Sequence, residues 1–158
     1  MISVTFRIKH LYLSPGHNYF GHHEQPPGEH PMIERAEVCV VAGRGIEGDR
    51  FFDFKADYKG QVTFFADEVY EDLCARLDAW DKPPSVFRRN IITRGVDLNE
   101  LIDREFESQG VRFLGTGECT PCYWMDQAFG EGAEAALTGR GGLRAKILSD
   151  GVLRAEAG

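Results

Sequence analysis

Only one stretch of this 158-residue chain repeats its apolar residues at helical spacing, and that removes many folds from consideration. Ala66, Val69, Tyr70, Leu73, Cys74 and Leu77 fall on one face through residue 78, with Asp67, Glu68, Glu71 and Asp72 on the other. The acids near the start suit the positive end of a helix dipole. Elsewhere the apolar segments are short, and glycine or proline punctuates many of the gaps. Strands therefore follow one another without regular helices between them. That pattern excludes a repeated βαβ architecture and points to a mainly antiparallel sheet.

Residues 2–8 alternate apolar and polar, as a half-buried strand does. Residues 14–31 hold Pro15, Gly16, Pro26, Pro27, Gly28 and Pro31, which predict a long loop containing His17, His22, His23 and His30. Residues 37–42 read as a buried strand running into a glycine turn over 43–50. Residues 61–65 form a strand before the helix, and Pro83-Pro84 ends that unit. Residues 86–93 read as a strand, and Asp97 with Glu100 is placed to cap a helical turn over 98–102. Ser108-Gln109-Gly110 joins a hairpin of 104–107 with 111–115. A short helix over 131–138 precedes a second expected hairpin, 143–148 with 152–155 across Ser149-Asp150-Gly151. The expectation is one domain over 1–158, mainly β with minor α: an antiparallel, barrel-like sheet with short helical decorations.

The formal net charge is −7, with six acids against one arginine between residues 67 and 81. A general nucleic-acid binder needs a basic surface to neutralise phosphates, so the charge argues against that class. No apolar run approaches the roughly 18 residues of a membrane span. Arg7, Lys9 and His10 interrupt the apolar N-terminus, so no secretory signal is expected. Four cysteines, two of them isolated, make no disulfide framework, and a reducing cytoplasm is the expected compartment.

Four motifs carry possible chemistry. Gly43-x-Gly45-x-x-Gly48 matches a dinucleotide fingerprint, but no helical stripe follows to hold a pyrophosphate. Two readings remain: a plain turn, or a backbone that lets Arg44 and Arg50 approach an anion. Cys119-Thr-Pro-Cys122 suits a redox pair, half a zinc site or one reactive thiol. Cys39 and Cys74 read as small core hydrophobes. In Phe87-Arg88-Arg89-Asn90, a strand would turn the adjacent arginines to opposite faces. Arg88 and Asn90 would then share a face and could hold an anionic ligand; a surface charge pair is the plainer reading. The histidine cluster is either a solvated loop or a cover over a ligand or adventitious metal.

In order, Gly45-Ile-Glu-Gly-Asp-Arg50, Phe87-Arg-Arg-Asn-Ile91, Gly95-Val-Asp-Leu98, Pro121-Cys122 and Gly139-Arg-Gly-Gly-Leu143 resemble the MOSC domain family, from about residue 36 to the end. The family takes its name from the C-terminal part of molybdenum-cofactor sulfurases, and the chain resembles a small stand-alone bacterial-type member. The resemblance implies a strand-rich barrel and molybdenum chemistry. Some relatives hold molybdopterin through a cysteine sulfur and reduce N-hydroxylated compounds; others are thought to carry sulfur as a persulfide. Cys122 then matches the catalytic and metal-binding cysteine, Arg88 and Asn90 the Arg-x-Asn element, and Arg50 the Gly-Asp-Arg element. Arg44 and Arg140, in the glycine-rich turns, are further candidates for holding the cofactor's phosphate. Cys119 is a second thiol that the family signature does not demand. A small-molecule ligand, and either a cysteine desulfurase or an external electron-donor protein, are the implied partners. Nucleic acid and membrane are not.

Overall fold

The computed structural model describes residues 2–16, 31–120 and 124–156. Its strands are β1 (Ile2–Ser3), β2 (Arg7–Leu13), β3 (Ile33–Arg35), β4 (Glu37–Val41), β5 (Gly45–Ile46), β6 (Val62–Ala66), β7 (Ile91–Arg94), β8 (Glu105–Ser108), β9 (Val111–Glu118), β10 (Leu143–Ile147) and β11 (Gly151–Arg154). The α-helices are α1 (Asp67–Leu77), α2 (Trp124–Ala128) and α3 (Ala133–Ala136). The larger sheet has the order β1-β8-β9-β10-β6-β7-β2-β3, and the smaller β11-β4-β5. Pairing is antiparallel except for β1 with β8 and β6 with β7. The fold is mainly β with short helices, as the sequence predicts. Its larger sheet runs from β1 to β3 without closing, so barrel-like describes it only loosely.

Side-chain alternation sorts residues into two cores. Phe64 and Ile91 point into one with Leu11, Phe113 and Leu143, where Val38, Val40, Ile46 and Leu153 of the smaller sheet join them. Phe65 and Ile92, one residue on, point the other way, onto Leu73 and Cys74 of α1 with Phe87, Phe129 and Leu137. β6 and β7 are thus covered on both faces, as parallel neighbours usually are. Each fully buried side chain of this size contributes about 1.5–3 kcal/mol. α1 starts with Asp67 and Glu68 and stops at Asp78, which adopts a left-handed conformation and donates its N–H to the Cys74 carbonyl. Arg94, ending β7, pairs with Asp67 and Glu71 and ties the sheet to the helix.

Several expectations are corrected. The N-terminal strand over 2–8 is split into β1 and β2, and β2 continues to Leu13. Val86 and Phe87 lie in a 3-10 turn, Pro84–Phe87, because the preceding prolines preset a helical start and Arg88 then turns left-handed at φ 58°. The strand begins only at Ile91, so Arg88 and Arg89 are not strand neighbours on opposite faces. The hairpin of β8 and β9 forms as read, over Gln109 and Gly110, both at positive φ. The second hairpin does not form. β10 pairs with β6 and β9, whereas β11 pairs with β4 in the other sheet. Cys39 is exposed on β4 rather than buried; Cys74 is buried as expected.

Candidate functional site

The turn after β5 brings Asp49 and Arg50 inside the molecule. Asp49 is fully buried at its side chain, and Arg50 is only 7% exposed. Asp49 Oδ1 accepts from Ser14 N at 3.0 Å and from Arg50 Nη1 at 3.0 Å, while Oδ2 accepts from Phe51 N at 3.2 Å. Arg50 Nη2 donates to the Arg88 carbonyl at 2.9 Å, and its guanidinium lies over the Phe51 ring. Burial holds Arg50 below the ordinary guanidinium range, Asp49 pulls it up, and the nearby Arg89 charge lowers it further.

Asn90 is completely buried. Its Oδ1 accepts from Thr63 N and Oγ1, both at 3.1 Å, and Nδ2 donates to the Tyr12 carbonyl at 3.1 Å. Arg88 Nη2 donates to Ser14 Oγ and to the Gly16 carbonyl. Arg88 and Asn90 therefore clasp the chain at the end of β2. Arg89, between them, sends Nε to the Gly141 carbonyl at 3.1 Å and Nη1 to the Phe87 carbonyl at 2.9 Å.

Cys119 follows β9, and its N–H donates to the Gly142 carbonyl at 2.8 Å. Burial pushes its thiol up; the Arg89 and Arg144 charges pull it down, and Glu118 pushes it up. Arg144, on β10, packs its Cδ over Gly60 beside the Tyr58 ring, and its Nη2 reaches toward Gly117. Tyr58 stacks on Phe51, whose ring lies under Arg50. A side chain at Gly142 would collide with the Phe64 carbonyl, so only glycine lets this strand edge lie close to Arg89. The Arg89 and Arg144 charges thus act on Cys119, and those of Arg144 and Arg50 on Tyr58. Among the described residues, Arg89 and Arg144 have no ion-pair partner, and Arg144 Nε is buried without a hydrogen bond.

The expected residues divide. Arg50, Arg88 and Asn90 belong to this region. Arg44 lies outside it, paired with exposed Asp53, and Arg140 pairs with Asp72 of α1. Sequence reasoning missed Arg144 and gave Arg89 no role. The one available signal for Arg144 was its alternation with buried Leu143 and Ala145 immediately after Gly141-Gly142. Cys122 and His17, His22, His23 and His30 lie outside the described residues. Among the described residues, no group of three or more His, Cys, Asp or Glu is placed to hold a metal. No described helix is long and apolar enough to cross a membrane.

Comparison with curated proteins finds no match. Among solved structures, the YuaD protein of Bacillus subtilis is similar at a TM-score of 0.71 and 18% identity, over 96% of this chain and 92% of that one. YiiM of Geobacillus stearothermophilus is similar at 0.65 and 13%, over 95% and 71%. YiiM of Escherichia coli is similar at 0.60 and 17%, over 93% and 67%. At such identities the likeness speaks for the fold alone. The MOSC domain family model matches residues 46–157, and by that match the chain belongs to the MOSC domain family.

Proposed function

We propose that this protein binds the molybdenum cofactor and uses it to reduce N-hydroxylated compounds in a reducing cytoplasm. The family is associated with molybdenum cofactor binding. The observation that carries the reading is the buried, unpartnered Nε of Arg144 beside Arg89, both without ion-pair partners among the described residues. A buried donor left unmade costs about 1–3 kcal/mol, so a site that keeps one is suited to a ligand that fills it. The residues present fit an anionic phosphate group: Arg89 and Arg144 supply guanidinium N–H donors, which match phosphate oxygens in planar, bidentate fashion. Tyr58 and Phe51 supply an aromatic wall. The Cys122 thiolate would be the soft ligand to the metal, because thiolates suit soft, sulfur-rich metal centres. When bound, the cofactor supplies a redox-active metal. An electron pair from an external electron-donor protein, with protons from solvent, breaks the N–O bond and releases water.

The test is metal and pterin analysis of protein made in a host that synthesises molybdenum cofactor. Near-stoichiometric molybdenum with pterin is expected, lost in Cys122→Ser and reduced in Arg144→Gln. No molybdenum in the parent protein would overturn the reading. A one-sulfur mass gain on Cys122 after incubation with a cysteine desulfurase would instead assign persulfide carriage.

A further inference from the structure

The charged groups around Arg89 differ in how many of their hydrogen-bonding atoms remain available, and that difference separates groups that meet a ligand from groups that hold others in place. Asp49 has no exposed side-chain surface, and its bonds go to Ser14, Arg50 and Phe51, with Asn90 Nδ2 at 3.4 Å. Arg50 gives Nη1 to Asp49 and to the Met32 sulfur, Nη2 to the Arg88 carbonyl, and its backbone N–H to the Ser14 carbonyl at 2.7 Å. The ion pair therefore touches the residue before Arg89 and the residue after it. Arg88 adopts φ 58°, a left-handed conformation that a residue with a Cβ rarely enters. The Arg50 fork, closing on the Arg88 carbonyl, stabilises that turn. Asp49 reaches Asn90, whose other bonds lock it to β6 and β2.

We propose that the buried Asp49–Arg50 pair is a positioning device. It brackets Arg89 from both sides and so fixes the direction of the Arg89 guanidinium, and neither member of the pair contacts the ligand. A buried ion pair is weak evidence for stability in itself, because desolvation offsets much of its attraction. Its use here is geometric. Arg cannot be exchanged for Lys at such a forked position, since one ammonium cannot serve the Asp49 carboxylate and the Arg88 carbonyl in the same geometry.

This inference rests on the reading of Arg89 as an anion contact, and the experiment keeps the two apart. Affinity for inorganic phosphate is measured by calorimetry on the full chain, alongside the Arg89 Nε–Hε resonance in a nitrogen-edited spectrum. Arg89→Gln tests the anion contact and is expected to weaken phosphate at least tenfold. Arg50→Lys keeps the charge but not the fork. It is expected to weaken phosphate at least tenfold and to broaden or shift the Arg89 resonance, with the folded dispersion of the backbone spectrum retained. If Arg50→Lys does not fold, the double variant Asp49→Asn/Arg50→Gln, which leaves no buried charge alone, takes its place with the same expectation. Unchanged phosphate affinity beside an affected Arg89→Gln overturns the positioning role. Weakened affinity with an unmoved Arg89 resonance also overturns it, because Arg50 would then touch the anion itself. If Arg89→Gln has no effect on phosphate, the anion reading fails, and the resonance alone decides: moved in the Arg50 variant, the bracket stands; unmoved, it falls.

Discussion

Cys39, Cys74 and Cys119 carry the same thiol in three different surroundings, and the difference predicts their chemistry. Cys39 is exposed on β4, Cys74 is buried on the sheet-facing side of α1, and Cys119 is buried within reach of the Arg89 and Arg144 charges. At Cys119 two effects oppose each other. Burial disfavours the thiolate, and the Arg89 and Arg144 charges favour it; burial wins, and the thiol is raised. A raised thiol remains protonated at a pH where an ordinary cysteine, near 8.5, is half ionised. Brief iodoacetamide treatment at mildly alkaline pH should therefore label exposed Cys39 ahead of buried Cys74 and Cys119, which stay protected until denaturant is added. Fragment-ion mass spectrometry separates Cys119 from Cys122 in the same peptide. Labelling of Cys119 as fast as Cys39 would mean that the arginine charges outweigh burial.

At the scale of elements, two glycines in one loop are predicted to behave differently. Gly139 and Gly142 both adopt positive φ, at 80° and 113°. A methyl group on Gly139 meets open space, whereas one on Gly142 runs into the Phe64 carbonyl on the neighbouring strand. Gly139→Ala should cost about 1 kcal/mol, the ordinary strain of a left-handed residue. Gly142→Ala adds an overpacking term of about 1–3 kcal/mol and shifts the carbonyl that holds Cys119. Urea unfolding of the two variants reads the difference; equal losses would rule out the close approach of β10 and β6. The same scale shows what the sequence could and could not tell. Helix α1 was legible because its apolar face repeats over eleven residues. The hairpin of β8 and β9 was legible because Gln109-Gly110 supplies the turn. The strand expected over 86–93 forms only from Ile91: Val86, Phe87, Ile91 and Ile92 are alike in composition, while the prolines before them and the left-handed Arg88 decide the backbone. Asp150-Gly151 looks like a hairpin turn, but Asp150 Oδ1 accepts from Ala42 N at 2.8 Å, a partner 108 residues away. Local pattern carries no information about such a partner. Arg144 was missed for the same reason: its role comes from Gly60, Tyr58 and Gly117, which only the folded chain brings beside it.

For the molecule as a whole, the question is whether the smaller sheet is an appendage or part of one cooperative unit. Its strands come from distant parts of the chain, with β11 on β4 and β5 beyond. Leu153, on its edge strand β11, is fully buried and shares a core with Phe64, Phe113 and Leu143 of the larger sheet. The chain end is stitched back as well: Glu156 N–H donates to the Ile8 carbonyl at 2.8 Å, and its carboxylate meets Arg7. A core shared across sheets makes the loss of one side chain felt by both. Leu153→Ala should therefore lower the global unfolding free energy by about 2–5 kcal/mol, as a fully buried leucine does anywhere in the core. Because the whole structure still unfolds together, the denaturant midpoint should fall with the slope unchanged. Tryptophan fluorescence and far-ultraviolet circular dichroism should report the same transition, since coincident probes mark two-state unfolding. A separate early transition in one probe would mean that β4, β5 and β11 open independently. The Asp49–Arg50 pair, which follows β5, would then be held by the larger sheet alone, through Ser14, Arg88 and Asn90.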